Sequence, residues 1–196
     1  MEAFSDGVFA IAITLLVLEI GVPSGSGEDL WGALVDQWPS YLAYLVSFAT
    51  IGAVWFGHTV ITEHLDRANS VFARLNLLLL LVVSLLPFTT RLLAEYIRES
   101  DAERVAVTVY GVNLLLASIL LWALWRYAGH VHLVRPDVAD EDVTTLSKRL
   151  TPGLAGYLVL IALGLFFPVV AVVGYFAIAV FILVPLRAIR RSSANP

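Results

Sequence analysis

The chain has 196 residues, 59% of them hydrophobic and only 14% charged, with a mean hydropathy of +0.85 and a net charge of −4. A soluble domain is about half apolar and about a quarter charged, so an ordinary soluble fold is excluded. The small acidic balance argues against a nucleic-acid partner, and the lack of cysteine excludes disulfides, thiolate metal sites and thiol nucleophiles. Solid apolar runs such as "LNLLLLLVVSLLPF" also differ from the alternating segments of a membrane β-barrel. What remains is an all-α, polytopic membrane protein.

Six spans are predicted, forming a single domain over residues 1–196. The first covers 4–22. It is a retained span, because the N-terminus lacks the basic region of a cleaved signal peptide. Gly, Pro and Ser in "GVPSGSGED" end it. The amphipathic "EDLWGALVDQW" then lies at the membrane interface, where Trp31 and Trp38 suit the headgroup level. The second span covers 39–62 and starts with Pro39, which a first helical turn tolerates. "EHLDRANS" is a tight polar loop. The third span covers 71–94, and Pro87 should kink it or end it early.

"RESDAER" forms the next turn. The fourth span, 105–127, closes on the aromatic-basic anchor "WALWRY". A polar loop follows, and its "HVH…D…DED" stretch (130–142) is a solvated linker rather than a catalytic cluster. Spans five and six cover 151–167 and 169–187, broken near Pro168, before the basic tail "RAIRRSSANP". Nine of the twelve Lys and Arg fall on the side of the termini: Arg67, Arg74, Arg126, Arg135, Lys148, Arg149, Arg187, Arg190 and Arg191. Arg91, Arg98 and Arg104 fall on the other. Both termini are therefore expected in the cytoplasm.

Polar groups inside spans are functional candidates by default. Ser5 and Asp6 are open to two readings. They cap the first helix, or they join a buried cluster with Trp55, His58 and Asn76 of spans two and three. Asp6 and His58 lie at one depth, so an Asp–His or Ser–His contact is allowed. His58 alone also suits an ordinary interface position. The four histidines have no metal-ligand spacing beyond one HxH, and no metal is expected. Thr14 lies mid-span, where its hydroxyl can bond back to the carbonyl one turn earlier. Ile11, Thr14, Leu15 and Leu18 share one helical stripe, bracketed by Gly7 and Gly21. Glu19 falls off that stripe and should reach water.

"FSDGVFAIAITLLVLEI" resembles the first span of the transmembrane protein 175 family, the lysosomal-type potassium channels, in their short prokaryotic branch. Phe4, Ser5 and Asp6 match the family's Phe-Ser-Asp marker. The Arg that precedes the marker would fall one residue before Met1, outside this sequence. The resemblance extends to "WFGH" and "LLPFTTRLLAEY" and to the number of spans.

It implies a homotetramer whose first helices line a central pore without a carbonyl filter. Ile11 would be the narrowest hydrophobic ring, and Leu15 and Leu18 further rings toward the outside. Thr14, with Ile11, would govern cation selectivity. Phe4, Ser5, Asp6, Trp55 and His58 would tie span one to its neighbours at the cytoplasmic end, and Asn76 is added to that network. The implied activity is a leak-type, potassium-selective channel in a prokaryotic plasma membrane, with potassium and the lipid bilayer as partners, no cofactor and no enzymatic step. The alternative is an ion- or proton-coupled secondary transporter. That class favours broken helices and midplane charges, and here only Pro87 and Pro168 hint at breaks.

Overall fold

The computed structural model describes residues 1–21, 28–99, 101–135 and 153–183. Every regular element among them is helical. The first helix, α1 (Glu2–Leu15), continues as a 3-10 segment (Leu16–Glu19). Then come α2 (Leu30–Asp36), α3 (Trp38–Glu63), α4 (Ser70–Ser84), α5 (Leu86–Tyr96) and α6 (Ala102–His130). The last are α7 (Gly153–Gly164) and α8 (Pro168–Leu183).

Local chemistry accounts for most of the boundaries. Asp29 caps α2 by accepting from the Gly32 N–H at 2.9 Å. Asn69 caps α4 by accepting from the Phe72 N–H at 2.9 Å, and its amide nitrogen donates to the Tyr127 hydroxyl at 2.9 Å. Prolines occupy the opening turns of α3, α5 and α8, where a missing N–H costs least. Pro87 separates α4 from α5 at Leu85, as expected of a proline within an apolar run.

Three stretches are long and apolar enough to cross a bilayer: Trp38–Glu63, Ser70–Tyr96 across its kink, and Ala102–His130. The chain is thus a multi-pass membrane protein. The α-helical part of α1 has 14 residues and the 3-10 part has 4. At about 1.5 and about 2.0 Å per residue these rise roughly 29 Å together, close to the hydrocarbon thickness of about 30 Å.

The helices pack in a bundle. α3 lies against α5, α8 and α1, and α6 lies against α4 and α5. At Gly111 a Cβ would collide with the Tyr175 hydroxyl, so the absence of a side chain there lets α6 and α8 approach closely. Buried hydroxyls cross the bundle as well. Ser47 Oγ lies 2.7 Å from Thr90 Oγ1 and 2.9 Å from the Tyr110 hydroxyl, linking α3, α5 and α6. At one end the two loops flanking Leu65 and Val134 pair. The Asp66 N–H donates to the Leu133 carbonyl and the Arg135 N–H to the His64 carbonyl, both at 2.9 Å. This end carries Arg67, Arg74, Arg126 and Arg135, and α1 begins there. Residues 22–27 and 136–152, with most of the 130–142 loop, and the tail from 184 lie outside the described residues.

Candidate functional site

The residues singled out in the first span sort onto two faces of α1. Ser5, Phe9, Ala12 and Leu16 are buried and face the bundle. Phe4, Ile11, Leu15 and Leu18 face away, 60%, 60%, 42% and 72% exposed, and Thr14 shares that face. Spacings of three and four along a 3.6-residue helix put each set on one side.

At the beginning of α1, two separate polar links tie it to the bundle. The Asn76 amide is the hub of the first. Its nitrogen donates to Ser5 Oγ at 2.9 Å, and its oxygen accepts from His58 Nε2 at 2.8 Å. An amide oxygen cannot donate, so the imidazole is protonated on Nε2. His58 Nδ1 is buried without a hydrogen-bond partner among the described residues. The Phe9 ring packs on the imidazole with centroids 5.5 Å apart. In the second link, Trp55 Nε1 donates to Asp6 Oδ1 at 2.9 Å.

Three details differ from the sequence expectation. Ser5 and Asp6 do not cap the helix, because α1 already begins at Glu2. The carboxylate of Asp6 meets an indole rather than His58, and Ser5 reaches His58 only through Asn76. Phe4 is not part of this network, since its side chain points away from the bundle.

Thr14 combines both of its expected features. Its hydroxyl donates back to the Ala10 and Ile11 carbonyls, each at 3.0 Å. Its one proton is thereby used, and the oxygen on the exposed face is left as an acceptor.

The other end of α1 is built differently, and its residues signal this less clearly. Glu19 does not simply reach water. Its carboxylate is partly covered and lies 3.9 Å from Arg91 Nε, which is 2.8 Å from Glu95 Oε1. Arg98 lies over the Trp38 ring at 5.2 Å. A cavity of about 550 Å³ opens between the end of α1 and these groups. The available signal was an Arg within the last turns of an apolar helix, with Glu four residues on. Among the described residues, no three or more His, Asp or Glu converge as a metal site.

A family model described as endosomal/lysosomal potassium channel TMEM175 matches residues 1–87. A protein named potassium channel from Streptomyces collinus is 44% identical over 159 residues, covering 80% of this chain and 77% of the relative. One of the same name from Chamaesiphon minutus is 45% identical over 169 residues, covering 83% and 82%. The crystal structure of a lysosomal potassium-selective channel TMEM175 homolog from Chamaesiphon minutus superposes with a TM-score of 0.84 at 40% identity, over 93% of this chain and 94% of that one.

Proposed function

The chain belongs to the TMEM175 family, and from that premise we propose that it is a potassium-selective, leak-type cation channel. It works as a homotetramer of six-span subunits, with α1 of each subunit lining the central pore. Both termini lie in the cytoplasm of a prokaryotic cell. The observation that carries this reading is the unpartnered stripe Ile11–Thr14–Leu15–Leu18, on the face of α1 opposite the one fastened to the bundle.

The mechanism follows from what that stripe offers an ion. Four branched Ile11 side chains around an axis form a narrow apolar ring. Such a ring closes by dewetting and opens with a small dilation or rotation of the helices. Leu15 and Leu18 extend the apolar passage outward. The Thr14 ring presents acceptor oxygens whose protons point into the helix backbone, so it suits a cation and disfavours an anion. A cation that squeezes through such a ring sheds part of its water. Sodium holds water more tightly than potassium and pays more for this step, so potassium is preferred without a carbonyl cage. Glu95, Glu99, Asp101 and Glu103 near the outer mouth raise the local cation concentration.

The test is ion flux through purified protein in liposomes, with the reversal potential read in mixed potassium and sodium. Flux that saturates with potassium or follows a proton gradient would favour the transporter. Ile11→Asn is expected to wet the narrowest ring, raising conductance and lowering potassium preference. A parent-like current from that variant removes Ile11 from the gate.

A further inference from the structure

α1 is held unevenly, and the change falls where its helix type changes. Up to Leu16, each turn sends a buried side chain into the bundle: Ser5, Phe9, Ala12 and Leu16. From Val17 to Gly21 no residue is buried. The α-helix tightens at the same point into a terminal 3-10 turn, a form with poorer hydrogen-bond geometry. The cavity of about 550 Å³ lies against this segment, between Leu18, Glu19 and Gly21 on one side and Arg91 and Glu95 on the other. It gives the segment room to move. The ionic contact that draws the segment toward α5 is Glu19 to Arg91 at 3.9 Å, and Arg91 is itself steadied by Glu95 at 2.8 Å.

We infer that Leu16 is a hinge, and that Arg91 is the positioning residue that sets where the outer Leu18 ring sits by holding Glu19 across the cavity. This rests on the reading of α1 as the pore-lining helix. Arg91 touches no permeating ion in this role. An exposed ion pair is weak, but a segment with no buried side chain needs only a weak bias to favour one of two positions. The inner part of α1, with Ile11, is fixed by Phe9, Ala12 and the Asn76 hub, so the two rings respond to Arg91 differently.

The chain has no cysteine, so Leu18→Cys and Ile11→Cys each supply a single thiol. The full-length protein in liposomes is treated with a charged thiol reagent, and reaction rates are compared with and without Arg91→Gln. The rate at position 18 is expected to change roughly three-fold, the population shift a weak exposed pair can hold. The rate at position 11 should stay constant. Glu19→Gln should act like Arg91→Gln, and the double variant should do no more than either alone. Arg91→Lys should keep most of the parent behaviour, and high salt should mimic Arg91→Gln in the parent.

Equal changes at both positions, no change at position 18, or fully additive single variants would overturn the inference. If Arg91→Gln does not fold, Glu19→Gln carries the same test. The pore reading fails separately, if thiol modification at positions 11 and 18 leaves the potassium current unaltered.

Discussion

The two ends of α1 are built by opposite means. The inner end is fastened by short, directed hydrogen bonds: a buried link of Ser5, Asn76 and His58, and a more exposed one of Asp6 and Trp55. The outer end relaxes into a 3-10 segment beside a cavity and meets its neighbour through an exposed ion pair at 3.9 Å. Apolar packing does little to choose between alternatives in a membrane, because lipid tails are as apolar as Leu. Directed polar bonds therefore decide which end of a helix is fixed. The lesson is that one helix can carry a rigid part and a movable part without a break in its apolar sequence.

The largest expected effect comes from untying the inner end. Asn76→Ala leaves the His58 Nε2–H buried and unpaired, while Ser5 keeps only its bond to the Met1 carbonyl, at a cost on the order of 2 kcal/mol. Thermal unfolding in detergent should show it as a clear drop; an unchanged midpoint would mean that the two ends are not held differently. Trp55→Phe keeps the ring but removes the donor to Asp6. Asp6 is less buried than Asn76, so the loss should be smaller, about 1 kcal/mol.

Thr14→Ala tests the boundary between the two parts. Its hydroxyl bonds only to its own helix, so stability should hardly change. The permeability ratio of potassium to sodium should fall roughly five-fold, the scale of one lost polar contact. A lower melting point with unaltered selectivity would make Thr14 a packing residue.

Some of this was legible in the sequence because depth in a membrane follows from position along an apolar run. Ser5, Asp6, His58 and Asn76 all lie near one end of their spans, so their meeting was foreseeable. Their pairing was not. A carboxylate suits an imidazole or an indole equally well at the same depth, and only the rotation of each helix decides which it meets. In the sequence Arg91 reads only as a loop-side charge, because a lone Arg near a helix end resembles an interface anchor. Its place follows from the packing of α5 against the end of α1, which brings Arg91 within 3.9 Å of Glu19.

The sequence by itself determined that the chain is helical, that it crosses a membrane several times, and that Arg67, Arg74, Arg126 and Arg135 fall at one end of their helices. Apolar run length and charge asymmetry carry those facts locally. Its 3.6-residue period also put Ile11, Thr14, Leu15 and Leu18 on one side of a helix. The tertiary structure alone decided that this side faces away from the bundle while Ser5, Phe9, Ala12 and Leu16 face into it. The physical reason is that lipid-facing, neighbour-facing and bundle-facing stripes are all apolar in a membrane protein, so periodicity groups residues without saying what each group touches.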